Sequence, residues 1–252
     1  MTELEIHHAL AWGVIASGAF VFVLLFFVIA PYGRHTRPGW GLMVSNRLGW
    51  MVMESPSALG FAAIYFSGQH ALEPVPLVFA ALWLTHYVNR TFVYPFRMTS
   101  QQKLMPASIS ALAIIFNVVN AYVNARWISH LGEYPTTWFA DPRFALGVLV
   151  FAAGMTLNIS SDNILFRLRQ PGEEGYKIPY GGAYRWISAP NYFGELLEWG
   201  GFALATWSLS GLSFFLFTFA NLVPRAVSNH RWYRQKFPEY PSERRAVLPW
   251  IL

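Results

Sequence analysis

The chain has 252 residues, of which 54% are hydrophobic, 17% aromatic and only 12% charged. That charged fraction is about half of what a typical soluble domain carries, so a soluble fold could not easily cover so much apolar surface. The sequence contains no cysteine, which excludes disulfides, thiolate nucleophiles and cysteine-ligated metals. Composition therefore predicts an all-α, polytopic integral membrane protein.

Seven apolar runs are candidates for spanning helices, because about 20 helical residues are needed to cross a hydrocarbon core roughly 30 Å thick. Five of them run approximately from Ala9 to Ala30, Leu48 to Ser67, Pro76 to Tyr94, Ala107 to Ile128 and Arg143 to Leu165, and a sixth and seventh lie between Tyr192 and Val223. The last stretch is short for two full spans with a reversal at Ser208 to Gly211, so six helices also fit. No internal repeat or linker divides the chain, which predicts one membrane-embedded domain over residues 1–252.

The distribution of lysine and arginine predicts the orientation, since these residues are retained on the cytoplasmic side during insertion. Of the 18 such residues, only Arg126 and Arg143 fall on the opposite side of the seven-helix arrangement. The N-terminus is therefore expected outside and the C-terminus in the cytoplasm. The net charge of +5 is explained by this sidedness and by contact with anionic membrane lipids, not by nucleic-acid binding. The membrane would be a bacterial inner membrane or the endoplasmic reticulum.

The longest polar segment, residues 167–191, joins the fifth and sixth predicted helices. It carries four glycines and three prolines, which favour turns over helix. A cytoplasmic loop of this size, rich in tyrosine and arginine, is suited to cover a bound ligand.

Glu54 lies within the second predicted span, two residues before Pro56, which frees a backbone carbonyl and favours a kink. An ionisable side chain at this depth is costly unless it is paired or hydrated, and so is a functional candidate. Desolvation favours the protonated carboxyl, which can act as a donor. A structural pair with a nearby arginine or tyrosine is the alternative.

The third predicted span ends in a helical face formed by Tyr87, Arg90, Thr91 and Tyr94 at i, i+3, i+4 and i+7 spacing. A phenol in this position can donate a hydrogen bond to a substrate oxygen. Interfacial tyrosines are also common in membrane proteins with no role in catalysis, and that alternative stays open.

Polar residues recur at helical spacing in the fifth and sixth spans. Asn158 and Asp162 lie one turn apart, with Arg169 just past the helix end, and this predicts an inward polar stripe. In the sixth helix, Asn191 is followed by two carboxylates, Glu195 and Glu198, on the same face.

Two carboxylates in one apolar helix require partners. The cytoplasmic end of the last helix is expected to supply them, and the same side chains could hold phosphate. These partners are Arg225, Asn229, His230 and Tyr233. An interhelical polar network used only for packing is the alternative.

Several common signatures are missing from the sequence. There is no G-x-G-x-x-G after a strand, Walker A loop, H-E-x-x-H or G-x-S-x-G elbow. The scattered histidines lack metal-ligand spacing, so no metal is assigned.

An ordered set of motifs runs along most of the chain. Its N-terminal members are Tyr32-Gly33-Arg34-His35-Thr36, Glu54-x-Pro56-Ser57 and His86-Tyr87-x-x-Arg90-Thr91-Phe92-Val93-Tyr94. The later members are Asn158-x-x-x-Asp162, Arg167-Leu168-Arg169-x-Pro171-Gly172, Tyr176-Lys177-Ile178-Pro179-x-Gly181-Gly182, Asn191-Tyr192-x-Gly194-Glu195-x-x-Glu198-Trp199 and His230-Arg231-Trp232-Tyr233. Single motifs are weak, but their order is specific, and together they resemble the steroid 5α-reductases, of a bacterial type.

The resemblance implies a seven-helix fold in which NADPH reduces the C4–C5 double bond of a 3-oxo-Δ4 steroid or a similar lipid enone. Glu54 and Tyr87 would then bind and polarise the 3-keto oxygen. The residues implied around the cofactor are Asn158, Asp162, Arg169, Tyr176, Asn191, Glu195, Arg225, His230 and Tyr233. Met53 departs from the family pattern, which has glutamine before this glutamate, and the lost polar group leaves the natural substrate open.

Other functions share parts of this pattern. Membrane methyltransferases that use S-adenosylmethionine have a similar Pro-Asn-Tyr-x-Gly-Glu segment, but the segments around Glu54 and Tyr87 have no obvious use in methyl transfer. Related enoyl-CoA and polyprenol reductases are a second alternative. A binding protein or transporter is a third, although the inverted repeat of many transporters is missing. No protein partner is predicted.

Overall fold

The computed structural model describes residues 1–98, 103–168, 173 and 175–252, so Arg169 lies outside the described residues. The described chain is mostly helical. Its helices are α1 (Glu3–Phe27), α2 (Asn46–Ser55), α3 (Phe61–Phe66), α4 (Pro74–Val88), α5 (Tyr94–Arg97), α6 (Ala107–Arg126), α7 (Pro142–Arg167), α8 (Pro190–Thr206) and α9 (Leu209–Lys236). Two short strands, β1 (Met43–Ser45) and β2 (Leu104–Pro106), pair antiparallel with Val44 opposite Met105.

Helix starts follow from local capping. Thr2 and Glu5 form a reciprocal capping box at the start of α1, with Thr2 N donating to Glu5 Oε2 at 2.8 Å. The Ser208 hydroxyl accepts from Gly211 N at 3.0 Å and begins α9 directly after α8. The reversal between the last two helices is therefore as tight as the sequence predicts.

Two of the predicted spans are helices interrupted by a π-helical turn. The turn Pro56–Gly60 joins α2 to α3, and the turn Asn89–Val93 joins α4 to α5. The backbone stays in the right-handed region through both junctions, so residues 46–66 and 74–97 each form one continuous rod. At 1.5 Å per residue these rods are about 31 and 36 Å long. π-helical turns often occur at functional sites.

Four helical segments are long and apolar enough to cross a membrane, which confirms a multi-pass membrane protein. They are Glu3–Phe27, Ala107–Leu131, Pro142–Arg167 and Leu209–Lys236. The count of seven spans stays a prediction, because α8 has only 17 residues and two rods are interrupted. One bound was wrong, since α1 begins at Glu3 rather than near Ala9. Helix α9 continues beyond the apolar run through Pro224 to Lys236, so Arg225, Asn229, His230 and Tyr233 lie in its last turns as expected.

Helices α7 and α8 pack with their backbones in contact because glycines line both surfaces. A Cβ atom built at Gly147 would lie 2.4 Å from Ala205 N, and one built at Gly194 would lie 2.5 Å from Asn158 N. Gly154 and Gly201 show the same close approach. Small residues allow this packing in membranes. It fixes Asn158 and Asp162 of α7 against the first turns of α8.

The connections between the rods and the long helices collect at two ends of the bundle. The far pole contains residues 67–73 and 127–141, where His70 N donates to Ser129 O at 2.7 Å. The basic pole contains the strand pair and the C-terminal segment, whose Arg245 forms a parallel bridge with Ile187. The described segments of the basic pole are residues 28–45, 94–98, 103–106, 175–189 and 237–252.

An aromatic core lies between the two poles. Trp83 stacks on Phe61 at 4.6 Å between ring centroids, and its indole nitrogen donates to Ser57 O at 2.7 Å. Trp199 lies 5.2 Å from Trp83 and 4.3 Å from Phe214. These contacts join the two interrupted rods to α8 and α9 directly beneath the candidate site.

Candidate active site

Glu54 and Tyr87 come together next to the two π-helical turns. Glu54 lies in the last turn of α2, close enough to the Tyr87 phenol to interact with it electrostatically. Tyr87 is buried, and its ring lies 5.0 Å from Trp83 and 5.6 Å from Trp199. Two rods thus present a carboxyl and a phenol to one place.

Met53, which precedes the candidate acid, is held by the backbone. Asn117 donates from its side-chain amide to Met53 O at 2.6 Å and lies beside Glu54. The Met53 side chain is itself buried. An apolar group therefore occupies the position that precedes the acid.

Arg90 is the cation of this cluster and was not among the predicted site residues. Its guanidinium lies 3.7 Å from Asp162 Oδ2 and 4.4 Å from the Tyr94 ring centroid. Glu195 and Glu54 are near enough to interact with it electrostatically. The sequence does place Arg90 on the polar face of a predicted span. It does not show that the carboxylates of Asp162, Glu195 and Glu54 lie near it in the fold.

The polar stripe of α7 is tied to the start of α8. Asn191 donates from its amide to Asp162 Oδ1 at 3.1 Å, and Asn158 donates to Asn191 O at 2.9 Å. Asn158 and Asp162 are buried. The structure therefore unites these three predicted residues.

Arg225 lies on α9 and is buried at 7% exposure. Its Nε donates to the Tyr192 hydroxyl at 2.9 Å, its Nη2 donates to Tyr32 O at 3.3 Å, and its guanidinium stacks on the Tyr32 ring. Its Nη1 has no acceptor among the described residues.

The predicted partners of the α8 carboxylates were wrong for Glu198. Glu198 is fully buried and pairs with His86 of α4, with 3.0 Å between Oε2 and Nδ1. Arg225 is instead engaged by tyrosine and backbone oxygens. His86 and Glu198 are 112 positions apart in the chain, so no local sequence pattern could reveal this pair.

Tyr176 and Tyr233 meet around Arg34, a second residue that the sequence did not single out for the site. The Arg34 guanidinium lies 4.4 Å from the Tyr233 ring, 5.1 Å from Trp232 and 5.5 Å from Tyr176. Its Nη1 is buried with no acceptor among the described residues. Lys103 Nζ donates to the Tyr176 hydroxyl at 3.1 Å.

The C-terminal segment extends this aromatic cluster. Tyr240 stacks on Tyr233 at 5.1 Å, and the buried Arg244 guanidinium lies 5.1 Å from Tyr240. Nε and Nη1 of Arg244 have no acceptor among the described residues. His230 contacts the same segment through Ser188, with 2.6 Å between His230 Nδ1 and the Ser188 hydroxyl.

His35 lies where α1 leads into the basic pole and is bonded to α9. Its Nε2 lies 3.1 Å from Asn229 Oδ1. Burial lowers the pKa of His35 to about 4, and the nearby Arg225, Arg34 and Arg37 act in the same direction. The imidazole is therefore neutral at pH 7 and adds no further positive charge.

The candidate site offers two kinds of group. Guanidinium N–H groups that have no acceptor among the described residues, set among tyrosine and tryptophan rings, suit an anion with flat aromatic parts. The protonated Glu54 carboxyl and the Tyr87 phenol can donate to one oxygen. Buried polar groups normally have partners, so the unpaired donors of Arg34, Arg225 and Arg244 indicate a ligand site.

Comparison with known proteins identifies relatives along nearly the whole chain. Residues 103–252 match the family described as 3-oxo-5-alpha-steroid 4-dehydrogenase. The steroid 5-alpha-reductase DET2 of Arabidopsis thaliana is 46% identical over 91% of this chain and 90% of its own. The human 3-oxo-5-alpha-steroid 4-dehydrogenase 1 is 42% identical over 100% of this chain and 97% of its own. The chain therefore belongs to the 3-oxo-5-alpha-steroid 4-dehydrogenase family of steroid 5α-reductases, which are oxidoreductases acting on a CH–CH group.

Proposed function

We propose that this protein uses NADPH to reduce the C4–C5 double bond of a 3-oxo-Δ4 steroid, or of a similar lipid enone, to the 5α-reduced product. Its relatives carry steroid 5-alpha-reductase names. The observation that carries the proposal is the set of buried guanidinium donors at the basic pole that have no acceptor among the described residues. A reduced nicotinamide cofactor has the phosphates that would satisfy them.

The unpaired donors on Arg34, Arg225 and Arg244 would hold the pyrophosphate and the 2′-phosphate. Arg169, which lies outside the described residues, would add a further cation. Tyr176 and Tyr233 would pack against the flat parts of the cofactor. Further contacts would come from Asn158, Asp162, Asn191, Glu195 and His230. When bound, the cofactor supplies hydride to C5 of the substrate.

Glu54 and Tyr87 would activate the substrate. Conjugate addition at C5 places negative charge on the distant 3-keto oxygen, and two preorganised donors there stabilise that charge. Glu54 would act in its protonated form beside the Tyr87 phenol. The aromatic core under Tyr87 holds the ring in place and excludes water. Met53 itself would offer the substrate's ketone no polar group.

The proposed arrangement in the membrane has seven spans in a single domain over residues 1–252, with the N-terminus outside. The basic pole would face the cytoplasm, where NADPH is available, and the loop over residues 167–191 would cover the cofactor. The sidedness of lysine and arginine supports this orientation. Because the chain has no cysteine, a single cysteine added near the C-terminus can be labelled selectively. Labelling of this cysteine only from the extracytoplasmic side would contradict a cytoplasmic C-terminus.

The deciding experiment follows nicotinamide absorbance with purified protein and a 3-oxo-Δ4 steroid. We expect steroid-dependent oxidation of NADPH, with NADH much less efficient because it lacks the 2′-phosphate. Equal efficiency with both cofactors would reject the proposed phosphate contacts. Enoyl-CoA and polyprenol substrates belong in the same assay, since a preference for either would change the substrate assignment. A carrier would bind steroid without consuming cofactor.

A further inference from the structure

Part of the C-terminal segment packs against the helices that cross the membrane. Ala246 and Val247 are buried in one apolar cluster with side chains of three helices. That cluster includes Phe22 of α1, Leu196 of α8, and Phe219, Leu222 and Val223 of α9. Phe22 lies only about 8 Å before the end of α1, at 1.5 Å per helical residue. Val247 therefore lies beside the spans, at a depth near the bilayer surface.

The turn that follows, residues 247–252, exposes large apolar side chains. Trp250 and Ile251 are 79% and 80% exposed. The turn is closed by its own backbone, because Val247 N and Leu248 N both donate to Leu252 O at 2.7 Å. Trp250 has a φ of 64°, in the left-handed region that a bulky residue rarely adopts. The backbone thus holds an indole outward at a position where glycine would be less strained.

Arginine and tryptophan lie directly before this turn. Arg245 N donates to Trp186 O at 2.9 Å, and the Arg185 guanidinium lies 4.9 Å from the Trp186 ring centroid. All three side chains are exposed. Residues 231–252 carry five basic and two acidic residues, so the surroundings are positive. Tryptophan beside arginine is typical of the boundary between lipid tails and anionic headgroups.

We propose that the turn at residues 247–252 is a membrane anchor for the C-terminal segment. Trp250 and Ile251 enter the lipid leaflet at the basic pole, and Arg185 and Arg245 contact its anionic headgroups. The occupant of this surface is the bilayer that α1 and α9 cross, because the buried part of the same segment is continuous with the apolar surface of those helices.

The anchor also sets the position of Arg244. This arginine is buried, and its Nε and Nη1 have no acceptor among the described residues. It lies between the aromatic rings of Tyr180 and Tyr240, each about 5 Å from its guanidinium. Lipid contact at the turn therefore helps to hold a donor for the cofactor phosphates. This consequence rests on the proposed function, whereas the anchor does not.

The test places one environment-sensitive fluorophore in a chain that has no native cysteine. Ile251→Cys and Gln235→Cys are labelled separately, and each protein is reconstituted with one chain per lipid nanodisc, which removes contact with a second copy. Gln235 is the matched control, because it is also exposed but lies about 18 Å further along α9 than Val223.

Lipids brominated near the headgroup should quench the probe at position 251 at least twofold and leave the probe at position 235 unchanged. Aqueous iodide should do the reverse. Trp250→Asp should remove most of the lipid quenching at position 251, and Trp250→Phe should keep it. Quenching of position 251 by iodide alone, or by neither quencher, would overturn the anchor.

Headgroup contact is tested with the same probe at position 251. Spin-labelled phosphatidylglycerol should quench it about twice as strongly as the matching phosphatidylcholine, because the arginines concentrate anionic lipid around the turn. The combined Arg185→Gln and Arg245→Gln changes should remove this difference. Arg234→Gln with Lys236→Gln removes the same charge from the last turn of α9 and should keep it. Equal quenching by both lipids in the wild type would overturn the contact with headgroups.

Kinetics separate the anchor from the proposed function. Trp250→Asp should raise KM for NADPH about threefold with kcat nearly unchanged, because it loosens the segment that holds Arg244. Trp250→Phe should leave KM unchanged. An unaltered KM in a variant that has lost lipid quenching would overturn the link to Arg244. If lipid quenches position 251 but the wild type never consumes NADPH, the anchor stands and the proposed function fails.

Discussion

The arginines at the two poles differ in their hydrogen-bond partners. At the far pole, Arg126 donates two hydrogen bonds to the Glu3 carboxylate, at 2.6 and 3.0 Å. Arg143 likewise donates two side-chain hydrogen bonds to the Asp141 carboxylate, at 2.9 and 2.7 Å. At the basic pole, buried arginines stack on aromatic rings and keep donors that no described residue accepts. A guanidinium bound bidentately by a carboxylate is complete within the protein, whereas one held by rings is complete only with an added anion.

The largest effect is expected at the Glu54 carboxyl and the Tyr87 phenol, which lie next to the two π-helical turns. Glu54→Gln and Tyr87→Phe should each lower kcat for steroid reduction by roughly 100- to 1000-fold, because each removes a preorganised donor to the developing oxyanion. The double variant should lose less than the product of the two single losses, as coupled groups do. Steady-state kinetics with NADPH and steroid measure this.

Glu3→Gln at the far pole is the matched control and should leave kcat unchanged. Nearly wild-type turnover in Glu54→Gln and Tyr87→Phe would mean that the site is wrong and that Glu54 is a structural partner of Arg90.

The arginines themselves should show the next largest effect. Arg34→Gln, Arg225→Gln and Arg244→Gln should each raise KM for NADPH by about 10-fold or more, since a charge-assisted hydrogen bond contributes about 1.5–3 kcal/mol. Turnover at saturating cofactor should change less, because these contacts exist before the transition state. Arg126→Gln should leave KM unchanged. An equal response at both poles would remove the distinction between paired and unpaired guanidinium groups.

Substitution of single glycines in the α7–α8 interface can disturb the packing near one pole and leave the other pole intact. Gly147→Ala and Gly194→Ala place a Cβ atom at 2.4 and 2.5 Å from facing backbone nitrogens, so both should destabilise the fold, by about 1–3 kcal/mol. Only Gly194→Ala should also weaken NADPH binding, because it displaces Asn158 and the contact to Asn191. Gly13→Ala is the control, since nothing lies within 4 Å of its added Cβ. Thermal unfolding and cofactor titration compare the three variants.

Acid should weaken the poles in different pH windows. Burial lowers the pKa of His35 from 6.5 to about 4, so the unfolded chain binds a proton that the folded state resists, and stability falls as pH drops through that range. Hydrogen bonds from Arg143 lower the pKa of Asp141 from 3.8 to about 2, so the stability from this exposed pair is lost only in that lower range.

His35→Gln should reduce the fall of apparent Tm between pH 6.5 and about 4 by a few degrees. Asp141→Asn should reduce the fall of apparent Tm between pH 3.8 and about 2 by a smaller amount. Intrinsic fluorescence during heating in detergent, repeated across pH, measures both. A His35→Gln profile that matches the wild type would contradict burial of a neutral imidazole.

The sequence predicted those features that depend on local pattern. The start of α6 at Ala107, the reversal at Ser208 and the joint position of Asn158 and Asp162 follow from hydrophobic periodicity and helical spacing. The face expected from Tyr87 to Tyr94 was less reliable, because the π-helical turn at Asn89–Val93 alters the spacing within it.

Contacts between segments that are distant in the sequence leave no periodic pattern from which they could be predicted. Arg34 meets Tyr233, and His86 meets Glu198, through the packing of whole helices. No periodicity within one helix can reveal which side chain of another helix faces it. Arg34, Arg90 and Arg244 therefore joined the site only once the fold was known.

The close packing of α7 and α8 also limits how a substrate can arrive. A fused-ring molecule from the bilayer is rigid and needs two helices that can part, but this pair would have to break backbone contact from Gly147 to Gly194. We therefore expect the substrate to enter between another pair of helices. A covalent cross-link between α7 and α8 should leave the rate of substrate entry unchanged. A slower rate would mean that the substrate enters between these two helices.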